Sequence, residues 1–207
     1  MKTALGIIGV LAGIVLVVGG IIGLTLIGTY NGMVGGEQAV NQSWSQVQNV
    51  YQRRADLVPN LVATVKGAAQ FEQSTLTAIT EARASVGKLN ISSSQAPTTA
   101  DELQKFQQAQ GQLGSALSRL LVVSENYPQL RATSNFATLQ AQLEGTENRI
   151  SVERRSFTEA VQTYNNKVKG FPGVFLAGVF GFAPKPYFEA DQGADKAPKV
   201  DFNVSKN

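Results

Sequence analysis

The sequence predicts an all-α protein: an antiparallel up-and-down four-helix bundle preceded by one N-terminal transmembrane helix. Three observations carry that expectation. The chain opens on a long uncharged apolar run, apolar residues then recur at helical spacing over most of the remaining length, and the interruptions between these stretches are short.

No charged residue lies between Lys2 and Glu37, and from Ala4 to Ile27 every residue is apolar or glycine except Thr25. As a helix this run would be roughly 36 Å long, enough to cross a hydrocarbon core of about 30 Å with some tilt. A cleavable signal peptide carries about 7 to 15 apolar residues before a small-x-small site. The run here is longer, and "GTYNGMVGG" after it has no A-x-A pattern, so residues 1–30 are expected to form a retained anchor at the cell membrane, single-pass. Gly6, Gly9, Gly13, Gly20 and Gly28 project onto an arc of about 100° of that helix, and Gly9/Gly13 and Gly19/Gly23 have GxxxG spacing. Small residues let a second helix approach closely, so this face is a candidate for self-association.

Residues 31–170 are expected to form the bundle, with helices at about 33–67, 72–90, 99–126 and 134–169. In the first, Val40, Trp44, Val47, Tyr51, Val58, Leu61 and Val65 follow helical spacing, and Arg54 takes a place the stripe would give to an apolar residue. Leu76, Ile79, Ala82 and Val86 line the second, and Leu103, Phe106, Leu113, Leu117 and Leu120 the third. The fourth has the clearest pattern, with Phe136, Leu143, Ile150, Phe157 and Tyr164 each seven apart. "ISSSQAPTTA" at 91–100 reads as a loop.

An up-and-down path brings the charges of the first and fourth helices to one level. Arg54 stands 21 residues above residue 33 and Arg149 stands 20 residues above residue 169, about 30 Å in each case. Arg53, Arg54, Asp56, Glu147, Arg149, Glu153 and Arg154 are therefore expected to form a structural ion network that sets register. Pro59 removes an amide donor and crowds the carbonyl of Ala55, so a helix kink is expected there, with Asp56 available to satisfy freed amides.

Residues 171–190 are apolar and aromatic but too short to span a bilayer. The returning fourth helix would bring Phe171, Phe175, Phe180 and Phe182 near the membrane, either packed on the bundle or dipping into the interface. From 191 to 207 the composition turns polar, and a flexible tail is expected.

The chain has no histidine and no cysteine, which removes the commonest general base, thiolate chemistry and disulfides. No paired carboxylates are locally poised, and "GQLGS" at 111–115 lacks the strand and lysine of a phosphate loop. A net charge of +3 with scattered basic residues gives no nucleic-acid footprint. No enzyme activity, cofactor, metal or nucleic-acid partner is expected. The expected partners are the membrane, a second copy and a protein of unknown identity.

Several long stretches resemble the LemA family of bacterial membrane-anchored proteins: "YNGMV", "NQSWSQVQNVYQRRADLVPNLVATVKG", "FEQSTLTAITEARAS", "LQAQLEGTENRISVERRSFTEAVQTYNNKVKGFPGVFLAGVFGF" and "PKVDF". The resemblance covers nearly all of the chain from residue 30 and implies one N-terminal transmembrane helix followed by an antiparallel helical bundle. It implies no established biochemical activity. It also implies a cytoplasmic domain, whereas Lys2, the one basic side chain close to the apolar run, points the domain outward by the positive-inside rule. "AAQFEQ" stands where relatives carry an aromatic and a histidine, so no histidine-dependent role carries over. The function expected from sequence is a non-enzymatic membrane-anchored scaffold or adaptor. The alternative is a lipid-binding or membrane-shaping protein acting through its Phe-rich segment.

Overall fold

The computed structural model describes residues 2–67, 72–88 and 95–189, and every regular element among them is a helix. In chain order these are α1 (Lys2–Lys66), α2 (Gln73–Lys88), α3 (Ala100–Ser124), α4 (Pro128–Arg131), α5 (Ser134–Lys169) and α6 (Gly173–Phe180). The sequence placed a boundary at residue 30, but α1 crosses it as one unbroken 65-residue helix. Glycines at 28, 32, 35 and 36 each cost about 1 kcal/mol in a helix relative to alanine. Contacts with α5 offset that cost. Tyr164 packs so closely on Gly36 that a Cβ there would lie 3.2 Å from its ring, and Lys167 Nζ donates to the Gly32 carbonyl at 3.1 Å.

Lower down, α1 exposes an apolar surface that includes Val15, Leu16, Val17 and Leu24, and it is long and apolar enough to cross a membrane. Above residue 33 its buried stripe faces the other helices. α5 runs antiparallel to it, so Glu147 meets Arg54, Phe157 meets Trp44 and Tyr164 meets Gly36. α2 descends beside α1, with Arg83 reaching the Ala55 carbonyl, and the Ala96 amide then bonds Asn41 still lower down. α3 climbs again, taking Phe106 to Trp44 and Tyr51 and then Gln110 to Arg54.

Local signals fit these boundaries. Thr99 Oγ1 accepts from the Glu102 amide at 3.2 Å while Glu102 accepts from the Thr99 amide at 3.3 Å, a reciprocal cap that starts α3. Thr133 accepts from the Phe136 amide at the start of α5. Beyond α5 the chain turns sharply, and a side chain at Gly173 would collide with the Lys167 carbonyl. Gly181, at φ +76°, ends α6 in the left-handed region that glycine enters without steric cost.

Two apolar cores stack along the bundle. The upper one joins Leu61 and Val65 of α1, Leu76 and Ile79 of α2, Leu113 and Leu120 of α3, and Phe136 and Leu143 of α5. The lower one joins Met33, Val40, Trp44 and Val47 to Phe106, Phe157, Val161 and Tyr164, with Ala177 of α6 at its base. The segment after α6 turns back along the bundle, placing Phe188 against Trp44 and Phe157. The expected helix end at 89–90, the surroundings of Gly6 and the tail at 191–207 lie outside the described residues.

Phe157 is fully buried where α1, α5 and the returning segment meet. Phe157→Ala should therefore destabilise the chain by about 3–5 kcal/mol, whereas Phe157→Leu should cost far less. Denaturant midpoints of the full chain in detergent check both.

Candidate functional site

Between the two cores lies a polar layer centred on Arg54, whose exposure is only 4%. Its Nη1 donates to Glu147 Oε1 at 2.9 Å, and its Nη2 donates to the Gln110 carbonyl at 2.8 Å and to Gln110 Oε1 at 2.6 Å. The guanidinium also sits 5.0 Å from the centre of the Tyr51 ring. Three helices are thereby tied at one height. Among the described residues, Arg54 Nε and Gln110 Nε2 are buried donors without an acceptor.

Outward from this layer, a groove of about 640 Å³ opens between α3 and α5, bounded by Gln107, Gly111 and Ser115 on one side and by Glu147, Ser151 and Arg154 on the other. A second hollow of about 490 Å³ continues it upward to Leu121 and Leu143, sharing Gly114, Ser118 and Glu147. The small residues of α3 leave this space open, since a Cβ at Gly111 would meet nothing within 4 Å.

The seven charges expected to form one network are divided among three places. Arg54 and Glu147 form the ion pair. Arg53, Asp56, Arg149 and Glu153 line a different open cleft of about 680 Å³ on the other side of α1, and Asp56 accepts from its helix neighbour Gln52 at 2.8 Å. Arg154 turns toward the returning segment, donating to the Glu189 carbonyl at 3.3 Å and lying 4.7 Å from the centre of the Phe188 ring. The reason is angular. Arg53 and Arg54 differ by about 100° around α1, so being level does not make them neighbours.

Pro59 lies inside α1. α1 continues through it to Lys66, and Asp56 is engaged with Gln52 and not with freed backbone amides. The Ala55 carbonyl, which a residue other than proline at 59 would have bonded, accepts instead from Arg83 Nε of α2 at 3.1 Å.

At the base, α6 lies beside Thr29 and Tyr30, where the apolar stretch of α1 enters the bundle. Phe171, Phe175 and Phe180 are 86%, 70% and 56% exposed, while Phe182 is half-buried. The Tyr30 ring meets Phe180 at 4.9 Å and Phe182 at 5.7 Å. Nearby, burial and then the Glu37 carboxylate push the Tyr164 hydroxyl up to about 12, so the buried phenol stays neutral around pH 7. Among the described residues no group of three or more histidine, cysteine, aspartate or glutamate side chains could hold a metal ion.

The LemA family model matches residues 43–202, which takes in α2 to α6 and α1 from residue 43 onward. The chain belongs to the LemA family. It is also similar to two magnetosome proteins of Paramagnetospirillum magneticum, MamQ 1 and MamQ 2, at 32% identity over 87 residues. Magnetosome protein MamQ of Magnetospirillum gryphiswaldense is 31% identical over 87 residues. In each case the match covers 42% of this chain and 32% of the relative, so this LemA-family chain spans about a third of the length of the curated relatives it matches.

Removing Arg54 strands the buried acceptors of Gln110, whereas removing the charge of Glu147, half exposed at 50%, strands little. Arg54→Ala should cost about 3 kcal/mol and Glu147→Gln about 1 kcal/mol or less, read from denaturant midpoints. Arg83→Met should cost about 1 kcal/mol in the native background and close to nothing beside Pro59→Ala, which restores a donor to Ala55; a double-mutant cycle measures that coupling.

Proposed function

We propose that this LemA-family protein is a non-enzymatic, single-pass membrane-anchored scaffold. The continuity of α1 carries this reading: the apolar stretch and the spine of the bundle are one helix, so a surface of helices stands at a set height and orientation above the lipid. The polar layer supports it too. Its carboxylate is tied to Arg54, an arrangement suited to holding helices together.

Self-association in the bilayer extends the reading. A Cβ at Gly9, Gly13 or Gly20 would meet nothing within 4 Å, so a second helix is free to approach that backbone. A second reading, lipid binding through the Phe-rich segment, is favoured by the exposure of Phe171, Phe175 and Phe180 beside the point where α1 leaves the bundle. Aromatic rings at that height suit the headgroup level, where they anchor without spanning.

Chemical crosslinking of the full chain in native membranes should give multimers that Gly13→Leu/Gly20→Leu reduces to single chains. An unchanged assembly size would count against association through this face. In nanodiscs, an environment-sensitive dye on Phe175→Cys should be quenched by brominated lipid; emission typical of water, with no quenching, would remove the lipid contact.

A further inference from the structure

Residues 182–189 return up the bundle from α6 as a strap that is held through its backbone. Asn165 of α5 donates from Nδ2 to the Lys185 carbonyl at 2.9 Å and accepts from the Lys185 amide at 2.8 Å. Gln107 of α3 does the same for Glu189, at 3.1 Å and 3.4 Å. The upper end of the strap fixes Arg154 at the mouth of the α3/α5 groove, between the Glu189 carbonyl and the Phe188 ring. Both are neutral groups, and among the described residues no carboxylate pairs with Arg154. Its charge stands uncancelled at the mouth.

Deeper in the groove, Glu147 on the α5 wall is neutralised by Arg54 at 2.9 Å. Gln110, only 2% exposed, turns its Oε1 to Arg54 Nη2 at 2.6 Å, and that bond fixes which way its amide faces. Its Nε2 is thereby a buried donor without an acceptor on a residue that lines the groove, and Arg54 Nε is a second. Leaving a buried donor unpaired is costly, so an oxygen brought to this floor recovers free energy. The α3 wall leaves the approach open. A Cβ at Gly114 would lie 3.5 Å from Arg54 Nη1, and glycine puts nothing there. Mouth and floor together therefore favour an acceptor that carries negative charge.

Above this point the groove changes character. The hollow that continues it past Gly114 is lined by Leu117, Leu121 and Leu143. From Gly114 to Leu121 α3 rises about 10 Å, room for a short aliphatic chain. Arg54 stands about 30 Å above residue 33 on α1, so the groove takes its occupant from water and not from lipid. We propose that the α3/α5 groove is a binding site for a short aliphatic carboxylate, with its carboxylate at the Gln110 amide beside Arg154 and its chain against Leu121 and Leu143. This assignment goes beyond the scaffold reading and stands whether or not that reading holds.

Calorimetric titration of the full chain in detergent tests it, with hexanoate as the probe. One hexanoate should bind per chain. Hexanamide, which lacks the charge, should bind about tenfold more weakly, and acetate, which lacks the chain, weaker by a similar factor. A Cβ at Gly111 meets nothing within 4 Å, so Gly111→Leu should fold as the native chain does while filling the groove. Both Gly111→Leu and Ser118→Leu should weaken hexanoate at least tenfold, and the Gln110 side-chain amide protons of the native chain should move in NMR spectra as hexanoate is added. No binding by the native chain, or equal binding by the native chain and both variants, as partition into detergent would give, would overturn the proposal. Acetate binding as tightly as hexanoate, the sign of an ion held by Arg154 alone, would overturn it too, as would Gln110 amide signals that stay in place.

Discussion

Because the helix that carries the apolar run is the one on which the bundle is built, the packing of α5 against α1 decides where everything else sits. The seam is long, from Met33 and Val168 at the base to the level of Phe136 at the top, and large side chains fill it. Its antiparallel sense returns α5 to the point where α1 leaves the bundle, and α6 follows there against Thr29 and Tyr30. The exposure of the aromatic rings and the upward path of the strap are consequences of that return. A helix α5 of another length would place both elsewhere.

The polar layer at Arg54 divides the bundle into two cores, and burying it has a cost. Taking a guanidinium out of water costs several kcal/mol, and the three hydrogen bonds and the Tyr51 ring offset this without making the layer a strong source of stability. What the layer supplies is register. A slip of α3 or α5 by one turn would leave Arg54 buried without partners, whereas leucine would pack almost as well one turn away. The groove begins at this same level because α3 carries glycine and serine there, and those residues cannot close the space between α3 and α5.

Much of this was legible in the sequence because helical burial writes a period. Phe136, Leu143, Ile150, Phe157 and Tyr164, seven apart, are all buried, and so are Val40, Trp44, Val47 and Tyr51. Arg54, read as an interruption of an apolar stripe, is indeed inside. Three features left no such trace. The strap is held through its backbone by Asn165 and Gln107, and backbone recognition imposes no pattern on the side chains of the segment recognised. Relief of the Ala55 carbonyl by Arg83 joins residues 28 apart, which no local rule connects. The division of the seven charges depended on angle around α1, and a reading by height alone placed Arg53 and Arg54 together when they face different clefts. α1 passes unbroken through residues 28–36, where Gly32 and Gly36 serve contacts with Lys167 and Tyr164 that sequence spacing does not show.

The most direct test of the account is the distance between two spin labels, one in the apolar stretch and one on the bundle, at Leu16→Cys and Gln46→Cys of the full chain in nanodiscs. A single helix through residues 28–36 predicts a narrow distribution near 45 Å, from about 1.5 Å per residue. A broad distribution centred well below that value would mean that the chain bends between the two stretches, and α6 would then have no set place relative to the lipid.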